Sequence, residues 1–227
     1  MTTNVLDREM FSEAEAARLL RVAQGTLHYW LEGGTQRGKA YRPVIRPEPT
    51  GVRTVTWAEF VEAALLRQYR KHRVPMAQLR AFIDELRNEY RVPYPLAHER
   101  PFVSGRDLVQ KAQETARLDP ELWLVVWANK QLLLTYASQS FVERVTWEDD
   151  IATAWRPHDD PGSPVRMAPA VRFGKPAIKG ISTSILWEQV EEAGEDITEV
   201  ADAFDLEVSD VRWALAYETS ARSAQAA

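Results

Sequence analysis

Positive side chains are concentrated in one short stretch of the chain. Between Gly33 and Ala58 there is a single acid, Glu48, against five cations: Arg37, Lys39, Arg42, Arg46 and Arg53. Lysine and arginine neutralise phosphates, and this neutralisation supplies much of the affinity of a protein for nucleic acid. The stretch therefore predicts a surface that grips phosphates.

Residues suited to base contacts directly precede these cations. The segment "RVAQGTLHYWLEGG" predicts a turn near 22–25, a short helix through Trp30, and a stop at Gly33-Gly34. Helical spacing places Leu27, Trp30 and Leu31 toward a core and leaves four side chains for DNA: Gln24, Thr26, His28 and Tyr29. Glutamine can contact adenine through two hydrogen bonds, and threonine can touch a thymine methyl group.

A second segment, "FGKPAIKG" at 173–180, has the glycines and lysines of a phosphate-binding loop. A Walker loop requires lysine and then Ser or Thr directly after its second glycine. Here Gly180 is followed by Ile181-Ser182, and Lys175 follows the wrong glycine. The segment instead predicts a hairpin, with arms at 171–173 and 177–179 and a turn at 174–176.

Catalytic patterns are missing from the sequence. The chain has no cysteine, which excludes a thiol nucleophile, a thiolate metal site and a disulfide scaffold. Its four histidines have no metal-ligand spacing, and no G-x-S-x-G motif is present. We therefore expect that the protein is not an enzyme and that it has no cofactor and no metal site.

The elements that must position the cations can be read from capping patterns. Ser12 with Glu15 and Thr56 with Glu59 are capping boxes, which predict helices beginning at these points. The second of these helices should reach about residue 73, and Pro75 should open another that ends near Tyr90. The intervening "YRPVIRPEPTGVRTVTW" predicts a hairpin that turns at "PEPTG". Two short helices, a hairpin and further helices form a winged helix-turn-helix.

The remaining sequence predicts further hairpins and helices. "LWLVVWANKQLLLTY" predicts two strands around an Asn-Lys turn, "PFVSGRDLV" another hairpin, and "RPHDDPGSPVRMAPA" a linker. Three helices should follow at about 183–193, 197–204 and 208–219, with Asp196 and Ser209 as N-caps of the last two. The fold class predicted is mainly α with small β-hairpins, an α+β protein.

Two parts of the chain resemble known families. "FSEAEAARLLRVAQGTLHYWLEGG" with the following hairpin and "VTWAEFVEAALLRQYRKHRVPMAQLRAFI" resembles a MerR-like or excisionase-like DNA-binding domain. "RFGKPAIKG", "TSIL" and "DITEVADAFDLEVSDVRWALAYE" are similar to domain-of-unknown-function family 433, whose members include VapB-type antitoxins. The domains expected are a DNA-binding domain at 9–92, a β-rich middle segment at 98–156 and an antitoxin-type domain at 169–221.

Charge separates the two ends of the chain. Residues 1–92 carry 15 Lys and Arg against 11 Asp and Glu, and the rest carries 13 against 22, so the net charges are +4 and −9. The acidic part repels phosphate and suits contacts with proteins. The sequence has neither an apolar run long enough for a membrane helix nor the pattern of a secretion signal, so we expect a cytoplasmic protein without membrane contact.

The resemblance to VapB-type antitoxins implies two partners. These are double-stranded operator DNA, bound to repress the chain's own operon, and a PIN-like ribonuclease toxin that the chain neutralises. A homodimer is expected because helix-turn-helix proteins usually read paired half-sites. Two alternatives are a ligand-responsive MerR-like regulator without a toxin, and an assembly module that does not bind DNA.

Overall fold

The chain consists of two compact units, each with a core of its own. The computed structural model describes residues 4–36, 38–70, 76–120, 123–128 and 131–226. Unit 1 comprises 1–143 and 147–152, and unit 2 comprises 144–146 and 153–227. Helices combine with small two-stranded antiparallel sheets throughout the described residues, which confirms the α+β class.

The first part of unit 1 packs helices against short strands. In chain order its elements are β1 Glu9–Ser12, α1 Glu13–Leu19, α2 Gln24–Glu32, β2 Gly34–Gln36, β3 Lys39–Tyr41, β4 Thr54–Thr56, α3 Trp57–Arg70 and α4 Met76–Tyr90. Both predicted capping boxes mark real helix starts. The Ser12 hydroxyl accepts a hydrogen bond from the amide of Glu15 at 3.2 Å. In the second box the Thr56 hydroxyl accepts from the amide of Glu59 at 3.3 Å, and the Glu59 carboxylate accepts from the amide of Thr56 at 2.9 Å. Pro75, predicted in the first turn of α4, lies outside the described residues.

The prediction of a hairpin that turns at "PEPTG" is wrong. The strand β4 pairs instead with β1, more than 40 positions earlier in the chain, matching Val55 with Phe11 and Thr54 with Ser12. The first predicted arm forms no strand, because the amides of Val44 and Ile45 both donate to the carbonyl of Trp30 at the end of α2. Prolines at 43, 47 and 49 remove the donors that a strand would need.

A different hairpin follows α2 immediately. β2 pairs antiparallel with β3, placing Gly34 opposite Tyr41 and Thr35 opposite Ala40. Gly33 ends α2 with φ +73°, a conformation that favours glycine. The predicted stop of the helix is therefore confirmed, and the hairpin begins one residue later.

The later part of unit 1 is more helical than the sequence predicts. "PFVSGRDLV" forms the end of α5 Arg100–Val103 and the start of α6 Arg106–Thr115, so the hairpin predicted there is wrong. Val109, Ala112 and Gln113 are buried at helical spacing along α6, and this burial decides in favour of helix. The predicted strand pair is confirmed as β5 Val125–Ala128 and β6 Gln131–Leu134, followed by α7 Tyr136–Val142.

Unit 2 begins with strand residues and includes the segment predicted as a linker. The strands β7 Val145–Glu148 and β8 Ile151–Trp155 form a two-stranded sheet. Val165 and Met167 are fully buried, and Met167 exchanges backbone hydrogen bonds with Trp155 at 2.8 Å. The linker prediction is therefore wrong, because apolar residues between the prolines of this segment enter the core of unit 2.

The hairpin predicted with arms at 171–173 and 177–179 does not form, and a different hairpin lies a few residues later. β9 Ala177–Ile178 pairs with β10 Ile181–Ser182, so the turn lies at Lys179-Gly180 and not at 174–176. Lys179 and Gly180 have φ of +47° and +84°, as a type I′ turn requires. Residues 172–174 form a separate turn, and the backbone of Ala177 pairs with Arg166.

Three helical segments complete unit 2, as predicted. They are α8 Thr183–Trp187, continued by a π-helical stretch Glu188–Glu192, then α9 Ile197–Ala203 and α10 Val208–Ala226. The carboxylate of Asp196 caps α9 by accepting from the amide of Thr198 at 2.8 Å. Ser209 lies inside the first turn of α10, so its prediction as an N-cap is wrong. The apolar faces of the three helices, which include Leu186, Val200 and Val211, pack together with Val165 and Ile178 to form the core of unit 2.

Candidate nucleic-acid interface

The helix predicted to read DNA presents one apolar face and one polar face. Leu27 and Leu31 of α2 are fully buried and Trp30 is 3% exposed, so the predicted core face is confirmed. Gln24 is exposed, and Thr26, His28 and Tyr29 are half-buried. The polar face therefore offers Gln24 to solvent most freely, at the first turn of the helix.

His28 lies over a buried carboxylate at the start of α1. Its Nδ1 lies 3.1 Å from Oε1 of Glu13, and Nη1 of Arg53 donates to Oε2 of the same carboxylate at 2.9 Å. Glu13 is 2% exposed, whereas the Arg53 side chain is 71% exposed. One carboxylate thus joins α1, α2 and the segment before β4, and Arg53 keeps most of its surface in solvent.

Tyr29 belongs to an aromatic cluster around Arg80 of α4. The guanidinium of Arg80 lies 5.2 Å from the ring centre of Tyr29 and 5.5 Å from that of Tyr41. It also donates to the Tyr29 hydroxyl at 2.7 Å and to the carbonyl of Arg42 at 2.5 Å. Arg80 therefore ties α2 to the β2–β3 hairpin, a role that sequence spacing could not reveal because its partners lie about 40 to 50 positions away.

The cations Lys39 and Arg42, predicted to contact phosphates, are exposed but have different neighbours. Lys39 is exposed beside the Tyr41 ring, with its ammonium 5.5 Å from the ring centre. The Arg42 side chain is 62% exposed and pairs with Asp84 at 2.6 Å. Arg37 lies outside the described residues. Lys39 thus lies within the hairpin that follows α2 and Arg42 directly after it, on either side of Tyr41, whose ring lies 6.4 Å from that of Tyr29 in α2.

Arg46 lies in the interior, which corrects the expectation of an exposed cation. It is 2% exposed and donates to Oε1 of Glu59 at 2.7 Å, to the carbonyl of Thr54 at 2.7 Å, and to Glu32. Burial alone would lower the pKa of Arg46, but Glu59 and Glu32 outweigh burial and raise the pKa above its ordinary value. A charge count could not distinguish this cation from its neighbours, because the prolines beside it fold the segment inward.

The same network fixes the end of α2. Burial acts to raise the pKa of Glu32, yet the Gly51 amide, the Thr50 hydroxyl and Arg46 together hold that pKa below its usual range. The amides of Thr50 and Gly51 each donate to Oε2 of Glu32 at 2.9 Å. An ionised Glu32 therefore holds the 50–52 loop against the last turn of α2.

Two kinds of feature are absent from the described part of the chain, a cluster of metal ligands and a membrane-spanning helix. Within the ranges given above, no group of three or more His, Asp or Glu side chains is placed to hold a metal ion. In the same ranges, no helix is both long enough and apolar enough to cross a membrane.

The comparisons with known proteins identify relatives in Mycobacterium tuberculosis. The chain is 31% identical over 238 residues to Uncharacterized protein Rv2308 of strain H37Rv, covering 98% of this chain and 95% of that protein. It belongs to the same family as Rv2308. It is also 24% identical over 189 residues to the protein named Putative antitoxin VapB45 of the same strain, covering 77% of this chain and 78% of that one.

A solved structure shares the fold. The crystal structure of Rv2018 from Mycobacterium tuberculosis matches 93% of this chain and 100% of its own with a TM-score of 0.74, at 22% sequence identity. No protein-family model matches the chain. The resemblances to MerR-like domains and to family 433 therefore stay predictions.

Proposed function

We propose that the chain is the antitoxin of a VapBC-like pair, which represses its own operon and neutralises a PIN-like ribonuclease toxin. One observation carries this proposal: the similarity to VapB45 extends over 77% of this chain and 78% of that protein. A likeness of this extent includes residues of both units, so it supports a shared overall role better than a single shared domain would.

DNA binding is assigned to the polar face of α2 and the β2–β3 hairpin. Gln24 and Thr26 would contact bases, with His28 and Tyr29 beside them, while Lys39, Arg42 and Arg53 would contact phosphates. Arg37 remains in the proposed set on its sequence position alone. Arg46 is left out, because a buried cation bound to two carboxylates cannot reach a phosphate. A homodimer reading two half-sites completes this part of the proposal.

The DNA-binding assignment is tested by the salt dependence of binding to the chain's own upstream DNA. Arg42→Ala should weaken binding to every sequence and lower the slope of log K against log salt by about 1, because one phosphate contact is lost. Lys111→Ala is a matched control, since its side chain is also 62% exposed and also pairs with an acid, Glu89. An unchanged slope in Arg42→Ala would remove Arg42 from the proposed interface.

Base contact by α2 requires a different measurement. Gln24→Ala should change the preference among operator variants at one position while leaving the salt slope as it is, because glutamine carries no charge. Selection from a randomised operator library would show the change. A uniform loss across all sequences would argue that Gln24 only supports the helix.

The toxin partner is tested by co-expression with the product of the neighbouring reading frame. We expect a complex that survives purification, and growth that recovers when both proteins are present. If the two proteins do not associate and toxicity persists, the antitoxin assignment is rejected, whatever the result with DNA.

A further inference from the structure

Unit 2 contains a turn of left-handed backbone at a place where ordinary side chains occur. Arg172, Phe173 and Gly174 have φ of +48°, +54° and +76°, three consecutive positive values. Left-handed backbone costs a residue with a side chain roughly 1–2 kcal/mol, and only glycine adopts it freely. Two adjacent residues that are not glycine in this conformation mark a local strain, and such strain concentrates at functional sites.

The turn is held rigidly by its surroundings. The amide of Gly174 donates to the carbonyl of Val171 at 2.9 Å, and the amide of Lys175 to that of Arg172 at 3.2 Å. The Arg172 guanidinium donates to the carbonyl of Gly180, which belongs to the β9–β10 turn, at 2.7 Å. The strained conformation is therefore fixed before any partner arrives.

The rigid turn places a large apolar side chain in solvent. Phe173 is 73% exposed, and Val171 beside it is 37% exposed. An exposed aromatic ring on a fixed backbone loses little entropy on binding, which is the property of an anchor residue. Aromatic residues and arginine dominate the energetically important positions of protein interfaces.

The sequence on either side of the turn has the opposite charge to its unit, and the acid that approaches it is Asp210, which pairs with Lys179 at 2.9 Å. From Pro161 to Trp187 the chain has no acid and four cations, among them Arg172 and Lys175, both exposed. Unit 2 as a whole carries 8 Lys and Arg against 13 Asp and Glu, a net charge of −5. The patch of Val171, Arg172, Phe173 and Lys175 is thus a basic, apolar spot on an acidic unit.

We propose that this patch, here called the Phe173 patch, is the docking surface for the toxin, with Phe173 entering an apolar pocket whose rim carries carboxylates. This inference rests on the proposed antitoxin function and specifies where that partner binds. Charge complementarity selects the rim, because Arg172 and Lys175 flank the ring without an acid in the surrounding sequence. A nucleic acid fits less well, because its long chain of phosphates would meet the acids of α9 and α10.

The test is the affinity of the purified chain for the product of the neighbouring reading frame. Phe173→Asn is the informative variant, because asparagine tolerates left-handed backbone and the fold should keep its stability. We expect affinity to fall at least tenfold, with an unchanged urea midpoint. Tyr136→Asn is the control: this aromatic side chain in unit 1 is 89% exposed, and its loss should change affinity less than twofold.

Charge is tested separately with Lys175→Gln. It should weaken the complex several-fold at low salt and lose this effect at high salt, where screening is strong. An equal loss at all salt concentrations would contradict the carboxylate rim.

The outcomes separate this inference from the proposed function. If the wild-type complex forms and Phe173→Asn binds equally well, the Phe173 patch is rejected and the antitoxin assignment stands. If the wild-type chain forms no complex, both are rejected. If Phe173→Asn instead abolishes self-association in sedimentation, or binding to a single-stranded oligonucleotide, while the complex persists, the occupant is a second copy or a nucleic acid and the toxin is excluded.

Discussion

Individual arginines of unit 1 have opposite roles despite their closeness in sequence. Arg42 and Arg53 keep most of their side chains in solvent, whereas Arg46 between them is buried with Glu32 and Glu59. A buried ion pair contributes little net stability when intact, but removing one partner leaves an uncompensated charge in the interior. The burial of each arginine therefore decides what its loss would do.

Replacing Arg46 should destabilise the protein far more than replacing Arg42. Arg46→Met keeps a similar volume but leaves the carboxylates of Glu32 and Glu59 without their cation, and we expect a loss of about 3–5 kcal/mol in the free energy of unfolding. Arg42→Met breaks only an exposed pair with Asp84 and should cost less than about 1 kcal/mol. Urea denaturation of both variants measures the difference. Equal losses would mean that Arg46 is not buried in solution.

The buried Glu62 of α3 should make stability depend on pH. Burial raises the pKa of Glu62 to about 7, although Arg87 and the amide of Leu96 act in the opposite direction. Its Oε1 accepts from that amide at 2.9 Å, and Oε2 has no hydrogen-bond partner among the described residues. In the unfolded chain the Glu62 carboxyl loses its proton near pH 4.5, whereas in the folded chain it keeps this proton up to about pH 7. The stability that the protonated carboxyl contributes is therefore complete below pH 4.5 and is lost as the pH rises to about 7.

Glu62→Gln should remove this loss. Above pH 7 the variant should be more stable than the wild type by up to about 3 kcal/mol, since a neutral amide bears no cost of ionisation in the interior. Below pH 4.5 the two proteins should be nearly equal. Urea midpoints at pH 4, 6 and 8 measure the difference, and a constant offset across this range would contradict the assignment.

At the scale of elements, the end of α2 and the following β2–β3 hairpin are joined directly through Gly33. Gly33 ends the helix with φ +73° and ψ −149°, and a Cβ atom there would lie against the carbonyl oxygen of Tyr41 and 2.9 Å from the carbonyl carbon of Arg42. The position and direction of the β2–β3 hairpin therefore depend on a glycine at position 33.

Gly33→Ala should be more disruptive than Gly180→Ala. Both glycines have positive φ, so each substitution costs about 1 kcal/mol in backbone strain. At Gly180 a Cβ meets no heavy atom within 4 Å, whereas at Gly33 it overlaps backbone that cannot move alone. We expect a further ~1–3 kcal/mol at Gly33. Thermal unfolding of the two variants makes the comparison, and similar midpoints would refute it.

Elements with local signals were predictable from sequence, and those with distant partners were not. The caps at Ser12, Thr56 and Asp196 were found because each bond joins residues two or three positions apart. The pairing of β4 with β1 was missed because its partners lie more than 40 positions apart and their strands are only three and four residues long. A strand of that length carries too few residues for alternation to indicate a partner.

The candidate site was predictable to a similar degree. The faces of α2 follow from helical periodicity alone, which placed Leu27, Trp30 and Leu31 in the core. Arg80 could not be found in this way, because its contacts with Tyr29 and Arg42 join separate elements. The strained Phe173 was hidden as well, since no residue type in "VRFGK" other than glycine favours a left-handed backbone.

At the scale of the whole molecule, charge is distributed unequally along the chain. A net charge of +4 over residues 1–92 stands against −9 over the remainder. The whole molecule carries a net charge of −5, and at low salt this net charge should oppose binding to DNA regardless of specific contacts.

Neutralising acids of unit 2 should therefore strengthen DNA binding by the full chain. Glu199 and Asp202 are both exposed on α9, and the double change to Gln and Asn removes two negative charges without touching the core. We expect affinity for any duplex to rise several-fold at 50 mM salt and to approach the wild-type value at 300 mM. Fluorescence anisotropy can follow both conditions, and a gain that persists at high salt would imply a direct contact instead.

The network around Arg46 has a consequence for the order in which the chain is made. The end of α2 depends on Glu32, on the loop at 50–52 and on Glu59, and β1 acquires its pairing strand only at 54–56. A nascent chain that has emerged only as far as Gly33 contains α1, α2 and Glu32 but lacks the loop at 50–52, Glu59 and the strand that pairs with β1. The helix α2 can thus become fixed only after Glu59 leaves the ribosome, at a time when unit 2 is still unsynthesised.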